Sequence, residues 1–133
     1  KDSPLRSASQ VDAPGIRIAA PAKAGYELFL TRTIRHATLV RSTSTQGAIE
    51  LFKDRKADTL SGLKPNLLDL MVGKAEYRLL EGNFMVVNHG LGTPANRPAA
   101  AAYLKAFVQD MNASGFVGRS IARHQVQGLS AVK

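Results

Sequence analysis

Ile16-Arg17-Ile18-Ala19-Ala20 is a short apolar run that opens a rhythm of strand-like run, turn of small polar residues, and amphipathic helix. The pattern returns at Ala37-Thr38-Leu39-Val40 and at Asp58-Thr59-Leu60-Ser61-Gly62, with helical periodicity after each run. Strands that alternate with helices predict an α/β fold built on a parallel sheet. The carboxyl ends of the strands and the amino ends of the helices then share one edge, where unpaired backbone N–H groups and the helix dipole favour anionic or polar ligands. Function is expected along that edge.

Working outward, Val11-Asp12-Ala13-Pro14-Gly15 reads as an extended lead-in closed by a Pro-Gly turn. The helix after the first run carries Tyr26, Phe29, Leu30, Thr33 and Ile34 at spacings of three and four, a stripe suited to a sheet. A second helix follows Ser42-Thr43-Ser44-Thr45, with Ser44 or Thr45 as its N-cap; it buries Ala48, Ile49, Leu51 and Phe52 and exposes Lys53, Asp54 and Arg55. The third opens on Lys64-Pro65 and carries Leu67, Leu70 and Met71 up to Gly73. Beyond it, Tyr77–Leu80 and Phe84–Val87 are predicted as strands, and His89 to Pro94 as an extended crossing segment. A long helix from Pro98 shows Tyr103, Leu104, Phe107, Val108 and Met111; a shorter one turns Val117 and Ile121 inward, and the tail after Gly128 frays.

At 133 residues and 44% hydrophobic content, the chain can bury one ordinary core. It has no cysteine, which excludes disulfides, thiolate zinc sites and cysteine nucleophiles and fits either a reducing cytoplasm or a periplasm. No apolar run reaches the roughly 18 residues of a membrane span, and Lys1-Asp2-Ser3-Pro4 opens no signal-peptide region. The net charge of +8 raises nucleic acid as a partner. The cations, however, are scattered in sequence, and Arg32/Arg35, Lys53/Arg55/Lys56 and Arg119/Arg123 fall near predicted helix ends, where they complement the dipole. With aromatic residues at 6% and no basic-aromatic stripe, no nucleic-acid partner is expected. Neither are catalytic residues, a metal or a cofactor. His36, His89 and His124 have no carboxylate or second histidine at metal spacing, no serine sits in a Gly-x-Ser-x-Gly elbow, and Gly90-Leu91-Gly92 lacks the third glycine of a dinucleotide fingerprint.

Asp58-Thr59-Leu60-Ser61-Gly62-Leu63, coming after Phe52-Lys53-Asp54-Arg55-Lys56-Ala57, resembles the "gr-x-Da-x-x-g" run of the bacterial extracellular solute-binding proteins, family 3. Gly15 to Ala19 followed by Ala24-Gly25-Tyr26-Glu27-Leu28 resembles that family's strand and ligand-contacting helix start. Gly92 to Pro98, leading into Asn112-Ala113-Ser114-Gly115-Phe116-Val117, resembles its return segment and closing helix. The resemblance implies a periplasmic binding protein type 2 fold: two α/β lobes with helices on both sheet faces, hinged around a solute that is delivered to an ABC permease at the inner membrane. Residues 1–11 would be lead-in and hinge, 12–88 the second lobe, and 89–133 the return hinge and helices of a first lobe whose larger amino-terminal portion is missing here. The hinge strands would be Ser9 to Asp12 and Val87 to Leu91. Such a chain would be periplasmic, non-enzymatic and weak in solute affinity by itself. It would also expose Tyr103, Phe107 and Val108 and so be open to homo-oligomer formation. Some proteins of this fold are dehydratases, which leaves an enzyme as the minor alternative, beside a small basic nucleic-acid-binding protein.

The resemblance also implies ligand-binding positions. Lys23, Ala24, Gly25 and Tyr26 stand where the family holds a ligand carboxylate with a Gly-Ser/Thr pair; here the hydroxyl is absent and Lys23 brings charge to backbone donors. Apart from the resemblance, Ser42 and Thr43 belong to the hydroxyl-rich entry Ser42 to Thr45 of the next helix on the same edge, where capping is the favoured role and a hydroxyl left over can reach a bound anion. Leu63 replaces the aspartate that anchors an amino-acid ammonium, and Lys64 follows it. A small polar or anionic solute is therefore expected, an organic anion or an amino-acid-like molecule, with a carboxylate, another organic anion or a solute with an apolar part fitting Leu63 and Lys64 better than an α-amino acid.

Overall fold

In the computed structural model, which describes residues 2–132, the run after Ile16 becomes the first strand, β1 (Arg17–Pro21). Helix α1 (Gly25–Thr33) leads to β2 (Thr38–Ser42), α2 (Thr45–Lys53) to β3 (Thr59–Leu60), and α3 (Lys64–Met71) follows directly. The strands lie parallel in the order β2-β1-β3, with Arg17 opposite Thr38, Pro21 opposite Ser42 and Ile18 opposite Thr59. The fold is thus mixed α/β on a parallel sheet, as the alternation predicts. A central parallel strand is covered on both faces, which is why β1 carries the uninterrupted run Ile18-Ala19-Ala20, all buried. Helix α2 crosses all three strands. Its Ala48 joins Ala19 and Ala57 in the core, ringed by Leu51, Phe52 and Leu60. With methyl groups at these positions the helix backbone lies close to the sheet, and packing replaces side-chain bulk.

The amino edge of the sheet is tied by two carboxylates. Asp58 accepts from the main-chain N–H of Arg17 at 2.8 Å and, through both its oxygens, from the Arg17 guanidinium at 2.9 and 3.0 Å. Asp12 accepts from the successive N–H groups of Arg35, His36 and Ala37 at 2.8 to 3.0 Å, fixing the turn between α1 and β2. Those hydrogen bonds hold the Asp12 carboxyl below its ordinary value, and the Arg17 hydrogen bonds do the same for Asp58.

Two sequence expectations need correction. Tyr77–Leu80 and Phe84–Val87 form no strand: Glu81 alone makes a bridge, to Ser7, with Ala8 N–H on Glu81 O at 2.8 Å and Glu81 N–H on Arg6 O at 2.9 Å. Their side chains are held instead by packing, Tyr77 against Phe52 with ring centroids 5.2 Å apart and Phe84 against Phe29 at 6.2 Å. The segments expected as hinge strands are likewise not extended ladders, since Ala8–Gln10 is a single 3₁₀ turn and residues 88–91 lie outside regular structure. The second correction concerns α1. Leu30 is buried and Tyr26, Phe29 and Ile34 are half-buried, but Thr33 is exposed and the other buried side chain is Glu27.

The chain divides into two compact units, Lys1–Val87 and Asn88–Lys133. The second holds α4 (Pro98–Ala113) and α5 (Phe116–Arg123), which pack on each other through a turn in which Gly115 takes the left-handed conformation at φ 72°. Neither helix contains a buried residue; Leu104, Val108, Met111, Val117 and Ile121 are half-buried, while Tyr103, Phe107 and Phe116 are exposed.

Candidate functional site

The carboxyl edge of the sheet gathers the starts of three helices. Helix α2 supplies its own cap: the Ser44 hydroxyl accepts from the Gly47 N–H at 3.0 Å. The caps of α1 and α3 are Ala24 and Leu63, which have no side-chain oxygen to offer, so the first-turn N–H groups of those two helices have no cap partner. Between α2 and α3 at this edge lies a small pocket of about 20 Å³, more than the ~10–15 Å³ that one water needs. Its lining residues include the apolar Ile49, Leu67 and Leu70 of the helices and the polar residues Tyr26, Thr45 and Asn66. Ser61 also reaches it, but its hydroxyl donates to Ala19 O at 3.0 Å and serves the sheet. Burial raises the Tyr26 hydroxyl above its ordinary value, so it stays a neutral donor at this surface.

The eight residues marked from the sequence all stand at this edge. Lys23, Ala24, Gly25 and Tyr26 follow β1, Ser42 ends β2 with Thr43 next, and Leu63 and Lys64 begin α3. Of them, Tyr26 alone lines the pocket. Ser42 is spent within the protein, its hydroxyl donating to Ser44 O at 2.5 Å. Thr43, Lys23 and Lys64 are exposed.

Sequence reading missed the group that shapes this edge. Glu27, 3% exposed, reaches back from the first turn of α1 and accepts from the Lys23 N–H at 3.0 Å, holding Lys23 in the left-handed region at φ 66°. The same carboxylate accepts from the Thr31 hydroxyl and from the Arg41 guanidinium of β2, each at 2.8 Å. Hydrogen bonds from Thr31 and Arg41 hold Glu27 below its ordinary value against the opposing effect of burial. The signal was the acid three residues past Ala24, the position from which a capping box reaches back. Because Glu27 and Arg41 neutralise each other, the net charge at the edge comes from Lys23 and Lys64. Among the described residues no cluster of histidine, aspartate or glutamate could hold a metal ion. Comparison with protein-family models, with curated proteins and with solved structures finds no match to this chain.

Proposed function

We propose that the chain is the solute-binding lobe of an ABC-type uptake system in the periplasm, taking a small organic carboxylate with an apolar part and doing no covalent chemistry. The observation that carries this reading is the pocket at the carboxyl edge, with apolar walls and the uncapped starts of α1 and α3 beside it. An anionic head at those N–H groups gains from the helix dipoles and from Lys23 and Lys64, while the pocket of about 20 Å³ admits a methyl-sized tip and the rest of the solute stays outside it. A second α/β lobe completes the site, with helices on both sheet faces as in the family the sequence resembles. The solute then bridges the lobes and stabilises their closed arrangement. The permease and that complementary lobe are the partners this reading requires.

The test is an amide-shift titration of the chain with succinate, lactate and leucine in turn. A pocket open on one side predicts Kd in the range of about 1 mM. The shifts should centre on Gly25, Tyr26, Thr45, Gly62 and Asn66, with the carboxylates lacking an ammonium stronger than leucine. Shifts spread over the opposite edge, or none with any of the three, would overturn the reading.

A further inference from the structure

The basic residues that are scattered in sequence converge in the fold. In a parallel sheet every strand start and every preceding helix end falls on the amino edge. Arg32 lies in the last turn of α1 and Lys53 in the last turn of α2. Arg35 stands just before β2 and Arg55 just before β3, while Arg17 begins β1, opposite Thr38. Neighbouring strands are ~5 Å apart, so the starts of β2 and β3, on either side of β1, are separated by ~10 Å. The acids there offset part of this charge: Asp58 is taken by Arg17 and Asp54 pairs with Lys56 at 3.3 Å, while Asp12, its oxygens filled by three main-chain N–H groups, and the exposed Glu50 of α2 keep their negative charge. Arg32, Arg35, Lys53 and Arg55 are exposed and have no acid partner among the described residues. The two turns, residues 34–37 with Arg35 and 54–58 with Arg55, contain no phenylalanine or tyrosine, but His36 is exposed in the first and Phe52 directly precedes Lys53.

We propose that this amino edge is an electrostatic docking face for the anionic phospholipid headgroups of a bilayer. Exposed cations without a partner acid draw a negatively charged surface, each contributing roughly fivefold in affinity. Phe29 and Phe52, the phenylalanines nearest these cations, are half-buried against Phe84 and Tyr77, so the exposed ring in the turns is His36, a small platform for a base; this favours peripheral contact with headgroups. The face lies at the opposite edge of the sheet from the pocket, so contact with a membrane leaves the carboxyl edge free.

The experiment is co-sedimentation of the full chain with phosphatidylglycerol-containing vesicles and with pure phosphatidylcholine vesicles, across a salt series, beside binding to a short DNA duplex. The wild-type chain should bind the anionic vesicles, release them as salt rises, ignore the neutral ones and bind the duplex more weakly. The quadruple variant R32Q/R35Q/K53Q/R55Q should lose more than tenfold, whereas K74Q/R97Q/K105Q/R123Q, with the same charge removed elsewhere, should stay within about threefold. The charge-keeping variant R32K/R35K/R55K should bind like wild type, which separates lost charge from lost folding. No binding of wild type to anionic vesicles, equal loss in the two quadruple variants, or tighter binding to the duplex would each overturn the proposal.

Discussion

Glu27 is the residue on which the carboxyl edge depends. Its side chain is 4% exposed and its carboxylate serves Lys23, Thr31 and Arg41 together, whereas Arg41 keeps 45% of its side chain in water. Removing the carboxylate frees the Lys23 N–H and leaves a left-handed non-glycine residue without its restraint. Glu27→Ala should therefore cost about 2 kcal/mol or more in urea unfolding. The pH dependence has a definite sign. Glu27, Asp12 and Asp58 all titrate below their ordinary values of 4.5, 3.8 and 3.8. Their contribution is complete above those values and is lost as pH falls through the lower folded ones, because the unfolded chain binds the protons first. Stability should hold at neutral pH and decline from about pH 4.5 downward, and Glu27→Gln should flatten part of that acid limb. A decline of the same depth in Glu27→Gln would show that other groups govern it.

At the scale of elements, α2 illustrates how local rules and packing combine. Ser44→Ala removes the one side-chain cap at the carboxyl edge and should cost about 1 kcal/mol. Gly47 tests the packing. A helix ordinarily gains roughly 1 kcal/mol from alanine in place of glycine. Here the added Cβ would lie 3.1 Å from Ser42 Cβ and 3.3 Å from the capping Ser44 oxygen, so the neighbours must yield. Gly47→Ala should bring no rise in melting temperature, and a rise worth the full propensity gain would show that the β2–α2 turn relaxes freely. The same helix shows what the sequence reveals. Ala48, Leu51 and Phe52 face the sheet and Lys53 to Arg55 face water, as their spacing predicts, because amphipathic periodicity depends on the helix's own geometry. Residues 77–80 and 84–87 have comparable apolar character and do not form strands, because a ladder needs a neighbouring backbone and periodicity carries no information about a partner. Glu27 escaped for a related reason: a charged residue inside a helix pattern reads as solvent-facing until its partner, Arg41, is brought from another element. The sheet edge at which the marked residues gather was thus legible in the sequence, while the pocket was not, since Thr45, Asn66 and Leu67 meet through tertiary packing.

At the scale of the whole molecule, the two units differ in how much they bury. The first has a core built around Ala19, Ala48 and Ala57, whereas α4 and α5 contain no buried residue. Residues 88–97, which open the second unit, are in neither helix nor strand, and nearly all are exposed, Leu91 by 61%. Thermolysin should make its first cut within 88–97, and the amino-terminal product should outlast the helical remainder in mass-resolved time courses. A first cut inside β1 to β3 would contradict this order of local stability. The pocket also has an optical consequence. The chain has three tyrosines and no tryptophan. Tyr103 lies exposed on α4, Tyr77 rests against Phe52, and Tyr26 alone borders the pocket. Ultraviolet emission from the unlabelled protein therefore carries a built-in reporter, and Tyr26→Phe would erase the part of any ligand-induced change in fluorescence that originates there.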